Sequence, residues 1–213
     1  EWVKCMSVSL ILYAEHEFNA STFTGRVITG TLSDIHSAVT GAIGALRGPL
    51  HGGANEAAMA LIESFKDADD ADKGVHDMFA RKDLVMGFGH RVYKTTDPRN
   101  VIIKEWSRAY ANSDEPRLTG TPAQRQNLFA ISERIESIMW NEKKMFPNAD
   151  FYHATTYHFM GIPTPLFTPI FVMSRITGWA AHIFEQRANN RLIRPSADYV
   201  GPSLTKVVPM AAR

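Results

Sequence analysis

Pro169–Gln186, PIFVMSRITGWAAHIFEQ, is the stretch that decides the fold. It is apolar on nearly every side, shows no strict alternation, and follows prolines at 163 and 165. A segment of that kind and length is a helix buried between other helices. Arg175 then needs a reason to be there, because a guanidinium in apolar surroundings is costly unless it faces a counter-charge or an anionic ligand. An internal salt bridge is the alternative reading of this arginine.

Working outward, leucine, methionine, alanine and charged residues recur at helical spacing, and β-branched runs of strand length are scarce. The chain therefore reads as nearly all helical. Ser33-Asp34 caps a helix to about Leu46; Gly52-Gly53 punctuates, and a helix continues from Ala54 to Phe65. Asp97-Pro98 starts a helix through Tyr110, and Thr121-Pro122 repeats the device before an amphipathic segment to about Lys144. From Asn189 onward, prolines at 195, 202 and 209 give an irregular tail wrapped over a surface or a partner. No repeat, low-complexity segment or long linker interrupts one compact helical unit of one or two lobes.

The 213 residues are 45% hydrophobic, enough for one substantial core. With 23 basic against 22 acidic residues, nothing in the bulk charge points to nucleic acid or an anionic membrane. The single cysteine, Cys5, excludes an internal disulfide and fits a buried helix position in a reducing, cytoplasmic compartment. The apolar run Val8 to Leu12 is far short of the roughly 20 residues a membrane span needs, and no signal peptide is visible. The chain opens at Glu1, already within a helix, as a piece of a longer protein would.

Four loops set histidine, arginine or aspartate beside glycine or proline: AEHEFNAST, RGPLHGGAN, VMGFGHRVYKTTDPR and FPNADFYHA. Glycine lets backbone approach a ligand, and turns between rigid helices are common places to build a site. Any one of these histidines, taken singly, is as readily a cap or a satisfied core residue. The eight histidines form no HExxH pair or His-x-His cluster, so no metal site is expected. Neither PLHGGAN nor GFGH is followed by the GK[ST] of a phosphate-binding loop.

The blocks PLHGGANEAAM, VMGFGHRVYKTTDPR, FPNADFYHA and FVMSRITGWAAHIFEQ, in that order, resemble the signature segments of citrate synthases, and the likeness runs from HEFNAST to RPSADY. The combination PNADFYHATTYHFMGIPT and FEQRANNRLIRPSADYVG resembles the 2-methylcitrate synthases within that family. The resemblance implies an all-α fold with a large and a small domain. Residues 1–51 and 162–213 would be part of the large domain, whose N-terminal portion is absent here, and residues 52–161 would form the small, CoA-binding domain that closes over the site.

The same resemblance implies His51, His90 and Asp150 as the catalytic trio, with His16, Arg99, Arg175 and Arg194 holding oxaloacetate. It implies that Leu84, Val85, Met86, Gly87, Phe88 and Gly89 wrap CoA and that Lys94 meets a phosphate. Tyr152, His153 and Phe88 would lie near the acyl pocket. The residue types suit the task. A carboxylate with an ordinary pKa of about 4 is a poor base toward the carbon beside a thioester, so it needs donors that stabilise the developing charge. A dicarboxylate calls for planar, permanently charged arginines. For Arg99 and Lys94 the blander alternative is a solvated surface residue.

The resemblance further implies a homodimer, with Arg194 reaching the partner's site, and an acyl-CoA that is substrate, so that no cofactor is required. The expected activity is condensation of propionyl-CoA with oxaloacetate and water to 2-methylcitrate and CoA. The alternatives are a citrate synthase using acetyl-CoA, and a truncated, non-catalytic relative that dimerises or binds CoA as a scaffold.

Overall fold

The computed structural model of the chain describes residues 1–212. Its helices are α1 (Trp2–Tyr13), α2 (Ala20–Gly30), α3 (Ile35–Leu46), α4 (Ala54–Glu63), α5 (Ala68–Arg81), α6 (Pro98–Ala111), α7 (Pro122–Ile138), α8 (Ala149–Phe159) and α9 (Phe167–Ala188). A π-helical turn, Met139–Lys143, prolongs α7, and short 3-10 turns cover Thr164–Leu166 and Met210–Ala212. Among the described residues there is no strand, only one antiparallel bridge between Phe88 and Pro147. None of the helices is long and apolar enough to cross a membrane.

The helix starts follow from short polar caps. Asp34 accepts the Ser37 N–H, Asp97 accepts that of Arg99 ahead of Pro98, and Thr121 and Gln124 form a reciprocal capping box around Pro122. Two further helices are capped without a proline or Ser-Asp signal. Asn19 caps α2 through Thr22 N–H, so the AEHEFNAST stretch is loop only as far as its asparagine. Asp67 caps α5, whose first turn carries Asp69 and Asp70 and whose last carries Arg81, in line with the helix dipole.

Helices α1, α2 and α3 pack with α9, while α4 to α8 pack among themselves; the two groups meet where α1 touches α6 and α4 touches α9. Between α6 and α7, Arg125 is buried without an acidic partner. Its guanidinium donates instead to the carbonyls of Tyr110, Ser113, Thr119 and Gly120, tying down the intervening loop. The start of α9 is capped from α4, whose Glu56 accepts the Thr168 N–H at 3.1 Å. Cys5 is fully buried in α1. Beyond Asn189 the chain has no regular structure until Met210, and Tyr199, Val200 and Leu204 are exposed there. Val3 and Ile11 on α1 and Met173 and Phe184 on α9 also present apolar surface.

Helices α1 and α9 are joined by hydrogen bonds at the end of α1. Leu10, Tyr13 and Ala14 lie at the end of α1, where carbonyls have no partner within the helix. They are met by Ser174 Oγ on Leu10, Arg175 Nε on Tyr13 at 2.6 Å, and Gly178 N–H on Ala14 at 3.2 Å. A side chain at Gly178 has no room, since a Cβ there would lie 2.5 Å from the Ala14 carbonyl oxygen. Gly178→Ala is therefore expected to push α1 off α9 and cost about 1–3 kcal/mol of stability. Urea unfolding checks this; an unchanged midpoint would show that the two helices are not locked at this point.

Candidate active site

Helix α8 begins at Ala149, so Asp150 lies in its first turn, where FPNADFYHA reads as a loop from sequence. Asn148 caps the helix by accepting the Asp150 N–H, and Asp97 accepts the Ala149 N–H at 3.0 Å. The carboxyl accepts a hydrogen bond from Tyr13 Oη to Oδ1 at 2.6 Å. Burial pushes the Asp150 carboxyl up to about 6, against the opposing pull of Tyr13, Arg99 and Arg175. A carboxylate poised near neutrality at the base of a site can take a proton.

His51 follows α3 in a turn where Gly53 N–H bonds back to the carbonyls of Leu46 and Gly48. The Ser21 backbone N–H, which can only donate, reaches His51 Nε2 at 3.2 Å, and Ser21 Oγ lies 2.8 Å from the same nitrogen. Nε2 is thus the acceptor and Nδ1 carries the ring proton. Ser21 is itself held by Trp179 Nε1 and by the α2 cap Asn19. Burial, reinforced by the charge of Arg175, lowers His51 to about 4, so the ring stays a neutral donor.

The tautomer of His90 is assigned by the same logic. Its Nδ1 accepts N–H bonds from Val92 at 3.1 Å and Tyr93 at 3.4 Å, which leaves the proton on Nε2. Burial, then Arg99 and His16, hold this imidazole below its ordinary value. His16 stands edge-on to it with ring centroids 4.9 Å apart, and His16 Nε2 is 3.0 Å from Tyr93 Oη. Burial followed by Arg99 and Arg175 lowers His16 as well.

The loop before His90 is stitched to the segment before Asp150. Gly89 N–H bonds to Phe146, Asn148 N–H bonds to Gly87, and the Asn148 side chain bonds to Gly89. Gly87 has φ +87° and sits so close to Phe151 that a Cβ would lie 2.8 Å from its ring. Only glycine makes this turn without strain. His90 and Asp150 are therefore positioned relative to one another by main chain.

Arg175 is 1% exposed. Among the described residues its side chain makes one hydrogen bond, to the Tyr13 carbonyl, and lies over the Phe171 ring at 4.7 Å. Its Nη1 is buried with no partner. Burial and the neighbouring Arg99 charge lower it to about 10. The internal salt bridge weighed for Arg175 is not what the structure contains. Arg99 is neither solvated nor unpaired: its Nε and Nη2 grip both oxygens of Asp97 at 3.0 and 2.7 Å. That fork, outweighing burial, raises its pKa.

The remaining expected residues are spread more widely. Gly87 and Phe88 are buried, Val85, Met86 and Gly89 half-buried, and Leu84 exposed. Lys94 is exposed, its Nζ on the Arg91 carbonyl at 3.1 Å. Arg194 is exposed in the tail and joins none of the contacts of the cluster. His153 stacks on Tyr13 beside the carboxyl, whereas Tyr152 turns its hydroxyl to Glu136 on α7. Two residues that sequence reasoning passed over, Tyr13 and Asp97, touch the cluster directly. Tyr13 closes an apolar helix without a local hydrogen-bond partner, and Asp97 reads fully as a helix cap. Together the groups set Arg99 with its counter-ion Asp97, the half-bonded Arg175, neutral imidazole donors and the raised carboxyl of Asp150 around one place, suited to holding an anion and moving a proton.

Residues 1–196 match the family model described as citrate synthase, C-terminal domain. The 2-methylcitrate synthase of Shewanella oneidensis is 62% identical over 99% of this chain and 54% of its own length. Citrate synthase 2 of Bacillus subtilis is 51% identical over 99% of this chain and 54% of its own. Among solved structures, citrate synthase from Thermoplasma acidophilum, in a ternary complex with carboxymethyl coenzyme A and oxaloacetate, superposes with TM-score 0.88 at 40% identity, covering 99% of this chain and 55% of that one. Citrate synthase from Thermotoga maritima gives 0.87 at 37% identity, covering 100% and 57%. The chain thus spans about half the length of the relatives it matches, and by sequence and all-helical fold it belongs to the citrate synthase family.

Proposed function

We propose that this chain carries the catalytic centre of a 2-methylcitrate synthase, condensing propionyl-CoA with oxaloacetate and water to 2-methylcitrate and CoA. The observation that carries the proposal is the buried, unpartnered Nη1 of Arg175 beside a carboxyl raised to about 6. An orphaned guanidinium edge marks a place for an anion. The near-neutral carboxyl supplies the base. The 62% identity to a 2-methylcitrate synthase supports the propionyl substrate over the acetyl one.

In this reading Asp150 removes a proton from the carbon next to the thioester, and the electron pair moves to the thioester oxygen, which accepts from His51 Nδ1–H. The new enol carbon attacks the ketone carbon of oxaloacetate, whose oxygen is polarised by His90 Nε2–H. Water then cleaves the C–S bond, releasing CoA thiol and a third carboxylate, which makes the condensation hard to reverse. Neutral imidazoles suit both donor tasks, because each keeps its proton on a defined nitrogen without adding charge to a site that already holds two arginines.

Arg175 and Arg99 would bind the two carboxylates of oxaloacetate, with His16 as a further donor and Arg194 supplied across a homodimer interface. CoA would lie along Leu84 to Gly89, with Lys94 near a phosphate, and residues 52–161 would close over the complex and exclude water. No cofactor takes part in this scheme. Acetyl-CoA is the rival substrate, since one methylene in an apolar pocket is worth only about 1–3 kcal/mol of discrimination. A scaffold without turnover fits poorly, because it would have no use for a buried arginine with an unbonded edge.

Release of free CoA thiol tests the proposal, using oxaloacetate with either acyl-CoA and the longest natural form of the protein. Faster release with propionyl-CoA is expected; a preference for acetyl-CoA would make it a citrate synthase, and silence with both would refute the reaction. The acid limb of kcat/KM should fall near pH 6, where Asp150 protonates. Asp150→Asn should nearly abolish turnover with oxaloacetate binding retained. The raised carboxyl pKa means that the fold favours the protonated form. That contribution is full below about 3.8 and lost as pH rises through about 6, so Asp150→Asn should also melt higher than wild type at pH 8. For Arg175→Lys the expected loss is in oxaloacetate KM, raised at least about tenfold by removal of the planar fork. An unchanged KM would remove Arg175 from the clamp.

A further inference from the structure

Tyr13 is fully buried at the end of α1, and its ring is gripped from both sides. The His153 imidazole stacks on it with centroids 4.1 Å apart and planes 27° from parallel, and Phe171 lies against it at 3.8 Å. Its backbone carbonyl is fixed by Arg175 Nε. A phenol held in this way can place its hydroxyl in one direction only, and that hydroxyl is on Asp150 Oδ1 at 2.6 Å. No protein group bonds Oδ2 among the described residues.

His153 has no direct reason to be a histidine in the proposed chemistry. It is fully buried; its Nδ1 donates to the Ala149 carbonyl one turn back at 2.5 Å, and its Nε2 has no partner. Burial lowers it to about 3, so it brings no charge to the neighbouring carboxyl. What the ring offers is a flat face whose rotation is locked by the Ala149 bond. An aliphatic residue would fill the space without fixing the plane against Tyr13.

We infer that Tyr13 and His153 are positioning residues for the base: His153 locks the phenol, and the phenol reserves Oδ1 of Asp150 so that Oδ2 is the oxygen that receives the proton. This deepens the proposed function and rests on Asp150 being the base. The other groups facing Asp150 are Arg175 from α9, Asp97 and Arg99 at the start of α6, and Tyr157 on its own helix. Helices α4 and α7 also pack on α8, but their carboxylates Glu63 and Glu136 meet His158 and Tyr152 instead. With a second carboxylate and two fixed cations around it, Asp150 has one neutral donor that can be removed without altering the charge of the site, and that is Tyr13.

The test is Tyr13→Phe in the longest natural form of the protein, which keeps the ring and deletes the donor. Two readouts are taken: the 13C carboxyl titration of Asp150, assigned with Asp150→Asn, and the pH profile of kcat/KM. Losing a hydrogen bond to the ionised form should move both midpoints up by about one pH unit. Replacing Tyr13 by 3-fluorotyrosine, a more acidic donor, should move them down. His153→Ala should shift the midpoint upward as Tyr13→Phe does, and His153→Phe, which keeps a flat ring, should shift it less. Midpoints that stay in place, with kcat reduced by the same factor at every pH, would make the pair mere packing and overturn the inference. A His153→Phe shift as large as that of His153→Ala would overturn the stacking role. Absence of any turnover in wild type would sink the condensation reading instead, and the carboxyl titration would still decide whether Tyr13 governs Asp150.

Discussion

A helix that ends inside a protein leaves carbonyl groups that something else must satisfy, and the end of α1 is the place where this requirement organises the molecule. Helix α9 answers it with Ser174, Arg175 and Gly178 N–H. Because one of those answers is an arginine using only its Nε, the structural bond leaves the far edge of the guanidinium unspent within the site. The residue whose carbonyl is capped is Tyr13, whose hydroxyl lies on Asp150. One backbone constraint therefore aligns the cation, the phenol and the carboxylate, and the glycine at 178 is the condition for the approach.

Electrostatics then sorts the titratable groups by role. Arg99 and Arg175 lie near enough to one another, and dry enough, that each additional positive charge nearby is opposed. His16, His51 and His90 are all lowered, by burial first and by these arginines next. Backbone N–H groups settle which nitrogen of His51 and His90 keeps the proton. Asp97 balances one arginine and also closes the N-terminus of α8, so the cap of one helix and the counter-ion of the site are the same carboxylate.

Local chemistry made much of this legible in the sequence. Asp34, Asp97-Pro98 and Thr121-Pro122 mark helix starts through bonds that span two or three residues, and the structure places helices at all three. The cost of burying Arg175 follows from residue type and an apolar helix alone. What could not be read locally was any bond across the chain. Tyr13 carries no local signal because its partner is 137 residues away. Locally, Arg99 reads as a ligand or as a solvated residue, and its hold on Asp97 is a third outcome, hidden because a helix cap already explains Asp97. Asp150 reads locally as a loop residue because its Asn148 cap follows a proline in polar sequence.

The lock between α1 and α9 joins Tyr13 to a residue 162 positions later. Contacts of that sequence separation carry a large loop-closure cost and tend to form after local helix pairs. During synthesis α1 emerges long before its capping arginine exists, so its last carbonyls remain hydrated and Asp150 has no Arg175 beside it until α9 is made. Assembly of the cluster is thereby tied to completion of α9, and a shorter nascent chain carries Arg99 and Asp150 without the arginine that completes it.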